Sequence, residues 1–129
     1  MFSRNFLCVL LLLPLLAIAS NNVNLETTMK SMGLALKHAR EAASTEVALP
    51  YISELLELTG QAKTALFQDD KAQTYIEGLD KVLLTLQQAQ TAAEAGDQAK
   101  LSQALAEVEQ LRRHYHKQRR VSFWQVLFG

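Results

Sequence analysis

The apolar residues Leu25, Met29, Met32, Leu36, Ala39 and Ala43 follow one another at intervals of 4, 3, 4, 3 and 4. A helix of 3.6 residues per turn brings such a series onto one face. A strand would scatter it over both faces. The spacing predicts a helix over about 23–42, capped by Asn22 or Asn24. A single amphipathic helix cannot cover its own stripe, so the rest of the chain must supply partners.

It supplies three. A second helix is expected over about 50–66, with Ile52, Leu55, Leu56, Leu58, Ala62 and Leu66 as its apolar set. Pro50 fits its first turn, where a missing N–H costs nothing, and "ASTEVALP" (43–50) is the connection before it. Gly60 weakens that helix by about 1 kcal/mol relative to Ala. "FQDD" (67–70) is the next connection, and Asp70 with Gln73 makes a capping-box pattern. The third helix, about 71–95, turns Tyr75, Leu79, Val82, Leu83, Leu86 and Ala89 inward. Gly96 ends it and Asp97 caps the fourth, which runs from about 98 to at least 120. The chain is rich in Ala, Leu, Gln, Glu and Lys, all good helix formers, and has no sustained β-branched alternation. The expected fold is all-α: an antiparallel up-down-up-down four-helix bundle with short connections.

The first residues stand apart from this pattern. "MFSRNFLCVLLLLPLLAIAS" carries one charge, Arg4, then an apolar run from Phe6 to Ile18, then the small-x-small pattern Ala17-Ile18-Ala19. This reads as a secretory signal sequence, expected to be cut near Ala19, so residues 1–19 are left out of the expected fold. The run is short for a membrane-spanning helix. Its removal takes Cys8, the only cysteine, so the remainder has no disulfide, no thiolate metal site and no covalent haem attachment. Residues 20–120 form the bundle domain and 121–129 an apolar tail.

Without Arg4 the chain holds 12 basic and 13 acidic residues, but not evenly. "RRHYHKQRR" (112–120) contains five cations and no acid. It falls where the apolar stripe of the fourth helix (Leu101, Leu105, Val108) turns into Arg112, Tyr115 and His116. In the expected topology the first helix starts, and the fourth ends, at the same end of the bundle. Met29 and His116 then face each other there, with Leu66, Phe67, Tyr75 and Leu79 gathered around them. A thioether and an imidazole in an apolar bundle end are a haem site in outline, because both can ligate iron. Arg112 and Arg120, one turn either side of His116, would meet the two propionates. Lys117 and Arg119 lie on the rim.

Each residue also has a plainer reading. A methionine on a helical stripe is usually packing, and a histidine near a helix C-terminus suits the dipole. Met32, one turn deeper, is the alternative thioether. His114 is about 200° around the helix from His116 and belongs to solvent, as does His38, which is off its stripe.

Two segments carry a family resemblance. "NLETTMKSMGLALK" (24–37) resembles the first helix of the cytochrome b562 family, periplasmic four-helix-bundle b-type cytochromes, and places the axial methionine at Met29. "YIEGLDKVLLTLQQAQTAAEAGD" (75–97) and "LRRHYHKQRR" (111–120) resemble the third and fourth helices. There the family's Tyr-His pair falls on Tyr115-His116, its arginines on Arg112 and Arg120, and two of its glycines on Gly78 and Gly96. Two haem-packing phenylalanines are replaced by Tyr75 and Leu79, and the second connection is short. The resemblance implies one non-covalent haem b per chain with Met29 and His116 as axial ligands, in a periplasmic, monomeric electron carrier that serves a redox partner protein and is not an enzyme.

The competing function is a haem-free exported bundle that binds a protein or metal partner. Nucleic-acid binding is opposed by export and by the acidic remainder of the chain. No catalytic triad, carboxylate pair or phosphate loop is found. The tail "VSFWQVLFG" (121–129) is read first as a continuation of the fourth helix packed on its own bundle. The second reading is contact with a membrane or partner through Phe123, Trp124 and Phe128.

Overall fold

A computed structural model describes residues 24–65 and 72–128, with side chains described to Lys117. It contains four helices: α1 (Leu25–Glu41), α2 (Thr45–Ala65), α3 (Ala72–Glu94) and α4 (Gln98–Phe128). Each packs on its neighbour in sequence, and α1 against α4 closes the square as its sparsest side. This is the expected four-helix bundle.

The helix ends show why the boundaries fall where they do. Asn24 caps α1, its Oδ1 accepting from the Thr27 N–H at 3.2 Å. α3 ends at Gly96, whose φ of 69° lies in the left-handed region that glycine enters without penalty. The Gly96 N–H donates to the Ala93 carbonyl and the Asp97 N–H to that of Ala92, which satisfies two orphan acceptors of α3. Asp97 then accepts from the Lys100 N–H at 3.0 Å and starts α4. The Asp70 capping pattern, with Leu66 and Phe67, lies outside the described residues.

The start of α2 corrects the sequence reading. The helix begins at Thr45, not near Pro50, and the connection shrinks to residues 42–44. Ser44 is the reason: its hydroxyl accepts from the Val47 N–H at 3.2 Å and its carbonyl from the Ala48 N–H at 3.1 Å. Pro50 therefore stands inside the helix, where it leaves the Glu46 carbonyl without its i+4 donor. Pro50 is exposed, so water can reach that side of the turn. Pro50→Ala is expected to stabilise the fold by about 1–3 kcal/mol, since it restores a helical N–H and removes a ring clash. Urea unfolding checks this; a midpoint unchanged or lowered would show that Pro50 is not strained.

The core lies toward the middle and the α3–α4 turn. Ile52, Leu55, Leu86 and Leu101 are almost wholly buried there, among small residues such as Ala35, Ala39, Ala48 and Ala89 that let the helices approach closely. Thr59 and Thr85 are also buried, and each hydroxyl donates to its own helix, to the Leu55 and Lys81 carbonyls. Toward the other end the packing loosens. Ala62 and Leu79 form a second, smaller cluster, with Leu25, Met32, Tyr75 and Ile76 partly buried around it. Lys63 and Asp80 tie α2 to α3 on its flank. That looser end is where the site lies.

Candidate functional site

One largely apolar cavity opens among all four helices at this end. α1 contributes Leu25, Met29, Met32 and Leu36; α2 contributes Leu55 and Ala62. Tyr75, Gly78, Leu79 and Val82 come from α3, and Val108, Leu111, Arg112, Tyr115 and His116 from α4. The bundle topology does this: α1 begins here and α4 passes here after the Gly96 turn has sent it back.

Six of the seven residues expected at the site line this one cavity: Met29, His116, Arg112, Tyr75, Leu79 and Tyr115. The seventh, Arg120, is on α4, but its side chain lies outside those described, as do the tail residues Phe123, Trp124 and Phe128. α4 itself runs on as helix to Phe128. Met32 lines the cavity too, but it also packs against both hydrophobic clusters, as core does. His114 is exposed, with its ring edge-on to Tyr115 at 5.1 Å. His38 is exposed and stacks on Tyr51 of α2 at the same separation, a contact the sequence did not suggest.

Two features of the cavity were missed or unexplained in the sequence. The first is Gly78, noted only as a family match. A Cβ built there would lie 2.6 Å from Cζ of Tyr115, closer than packed atoms come. The glycine makes room for the Tyr115 ring beside the cavity, a backbone cradle that one added methyl group would fill. Gly78→Ala should gain helix propensity and lose ring packing, two terms of about 1 kcal/mol each that nearly cancel in stability. The displaced ring should nevertheless weaken ligand uptake by the cavity. Equal uptake by the variant and the wild type in a titration would contradict this.

The second feature is Glu109, which is buried on α4 beside the cavity. Its carboxylate accepts from Arg112 Nε at 3.0 Å and Nη2 at 2.7 Å, and from Arg113 Nε at 3.0 Å. The Arg112 hydrogen bonds are the main cause that holds its pKa near 2, with Arg113 adding to them and burial opposing. The same pairing raises Arg112 further above its usual range. The sequence signal was the spacing of Glu109 to Arg112 and Arg113, i+3 and i+4, which puts both cations over one carboxylate.

The sign of the pH dependence follows. A carboxyl lowered from 4.5 to about 2 contributes stabilisation that is complete above 4.5 and is lost as pH falls through 2. The contribution is about 1–3 kcal/mol, discounted because both arginines are well exposed to solvent. Urea midpoints of the wild type and Glu109→Gln should differ at pH 7 and converge toward pH 2. A gap constant with pH would remove the ion pair as its cause.

Taken together, the donors suit a planar, partly apolar prosthetic group. A soft thioether and an imidazole reach one apolar cavity, aromatic and aliphatic walls flank it, and a guanidinium stands at its rim for a carboxylate. This is the arrangement of a prosthetic-group-binding helical bundle. The chain belongs to the cytochrome b562 family, whose family model matches residues 24–120. That family comprises haem-binding electron-transfer proteins of the periplasm, not typically enzymes. No curated protein matches the chain. Among the described residues no helix is long and apolar enough to cross a membrane.

Proposed function

We propose that this protein is a periplasmic one-electron carrier that binds a single non-covalent haem b through Met29 and His116. The observation that carries the proposal is the meeting of α1 and α4 at one apolar cavity, which brings a thioether and an imidazole to the same space. When bound, haem b supplies an iron that accepts and returns one electron. Met29 and His116 would both hold that iron, which would leave no open position for oxygen or a substrate. Thioether ligation favours the ferrous state and raises the reduction potential relative to a harder ligand. The apolar walls from Leu25, Leu36, Leu79 and Val82 would keep water from a bound haem. Arg112 and Arg120 would hold the propionates.

Haemin titration of the purified chain tests the stoichiometry and the attachment together. Uptake should end at one equivalent, and acidified butanone should extract all of the porphyrin. Porphyrin that stays with the protein would show covalent attachment. The mass of the exported protein should correspond to a chain beginning near Ser20, which tests the leader.

The partner is proposed to be another redox protein that meets a positive surface. Arg113 is three-quarters exposed and Lys117 is exposed beside the cavity, although the chain without Arg4 is slightly acidic. Oxidation of the ferrous protein by ferricyanide should therefore slow as salt is added, because attraction is screened over about 10 Å at 0.1 M. Acceleration by salt would place the electron exit elsewhere.

A further inference from the structure

Glu109 has no part in the ligation just described, yet among the described residues it is the buried charged one. Its side chain is 12 % exposed, against 43 % for Arg112 and 74 % for Arg113. A buried carboxylate is costly unless it is paired, and here two cations pair it. The geometry with Arg112 is side-on. Nε and Nη2 donate to the two different oxygens of Glu109, at 3.0 and 2.7 Å. A guanidinium has a second donor edge, formed by Nη1 and Nη2, that can fork onto another carboxylate. Among the described residues no hydrogen bond uses Nη1. Arg112 also lines the cavity. It thus pairs with a protein carboxylate and lines the cavity at once.

We infer that Glu109 is a positioning residue for the cofactor. It grips Arg112 by its rear edge, so that the remaining edge is already turned to receive a propionate carboxylate. The inference rests on the haem reading. A long, partly exposed arginine would otherwise lose rotamer freedom when the cofactor arrives; Glu109 removes most of that freedom beforehand. Arg113 completes the device. As the second cation on Glu109, it keeps the rim positive although a negative charge is built into it. That fixed negative charge also disfavours the electron-rich state of a nearby redox centre.

The test is a double-mutant cycle on the full chain, read by haemin affinity and by reduction potential. Glu109→Ala should weaken haemin binding about 3–10-fold, the cost of ordering one rotamer-rich side chain. In an Arg112→Ala background the same substitution should cause no weakening, because there is nothing left to position. Glu109→Asp should recover part of the affinity. Glu109→Gln should raise the reduction potential, an effect that loss of packing alone would not produce. Wild-type haemin binding with unchanged affinity and potential in Glu109→Ala overturns the inference and leaves the haem reading standing. Weakening of equal size in both backgrounds overturns it too. A wild-type chain that takes up no haemin overturns both.

Discussion

His116→Ala is expected to abolish the six-coordinate spectrum and to weaken haemin binding by at least the roughly 10–100-fold that loss of a mere outer-shell partner costs a metal site. The imidazole is the stronger of the two donors offered to the cavity, and no second histidine can replace it. His114 is exposed on another face of α4, and His38 stacks on Tyr51. Met29→Ala should act differently. Haemin should still bind through His116, but in a five-coordinate, high-spin form with a lowered potential, since the thioether that favours ferrous iron is gone. Met32 provides a sharp control. It lines the cavity and also packs in the core, so Met32→Leu should leave the spectrum unchanged. If Met32→Leu abolishes low-spin character and Met29→Ala does not, the ligand is one turn deeper than proposed.

The second large effect concerns the bundle itself. Leu86 of α3 is completely buried and does not line the cavity. Leu86→Ala should cost about 2–5 kcal/mol through lost burial and the void left behind. Against a total of about 5–15 kcal/mol for a domain of this kind, that is a substantial fraction. No disulfide among residues 20–129 can offset it, because that part of the chain has no cysteine. Saturating haemin should raise the urea midpoints of the wild type and the variant by similar amounts, since a ligand that binds only the folded state stabilises both through mass action. A loss under 1 kcal/mol would mean that the α3 core repacks around the gap.

Much of this was legible in the sequence. The 4-3-4-3-4 stripe from Leu25 and the Gly96-Asp97 turn each carry a local signal, and the structure places α1, α3 and α4 within a few residues of expectation. Once those helices alternate in direction, topology alone brings residues 29 and 116 to one end, even though 87 positions separate them. The sequence points to too late a start for α2 because Pro50 is a strong signal for a first turn. Ser44 is a quieter one, and its cap decided the boundary. Glu109 is hard to single out in the sequence for a similar reason. An acid among many on a helix resembles a solvated face, and its burial depends on two arginines one turn later. Gly78 cannot be understood from α3 alone, because the ring that needs its space comes from Tyr115 of α4.

Met29 and His116 are proposed to hold one haem iron between them. The most direct measurement is an absorption spectrum of the exported wild-type protein, oxidised and then reduced with dithionite, with haemin added if the preparation is pale. A sharp α band in the reduced state, characteristic of a low-spin, six-coordinate b-type haem, is the result predicted. A protein that stays colourless after haemin is added would contradict the account and leave a haem-free helical binding module as the reading of this chain.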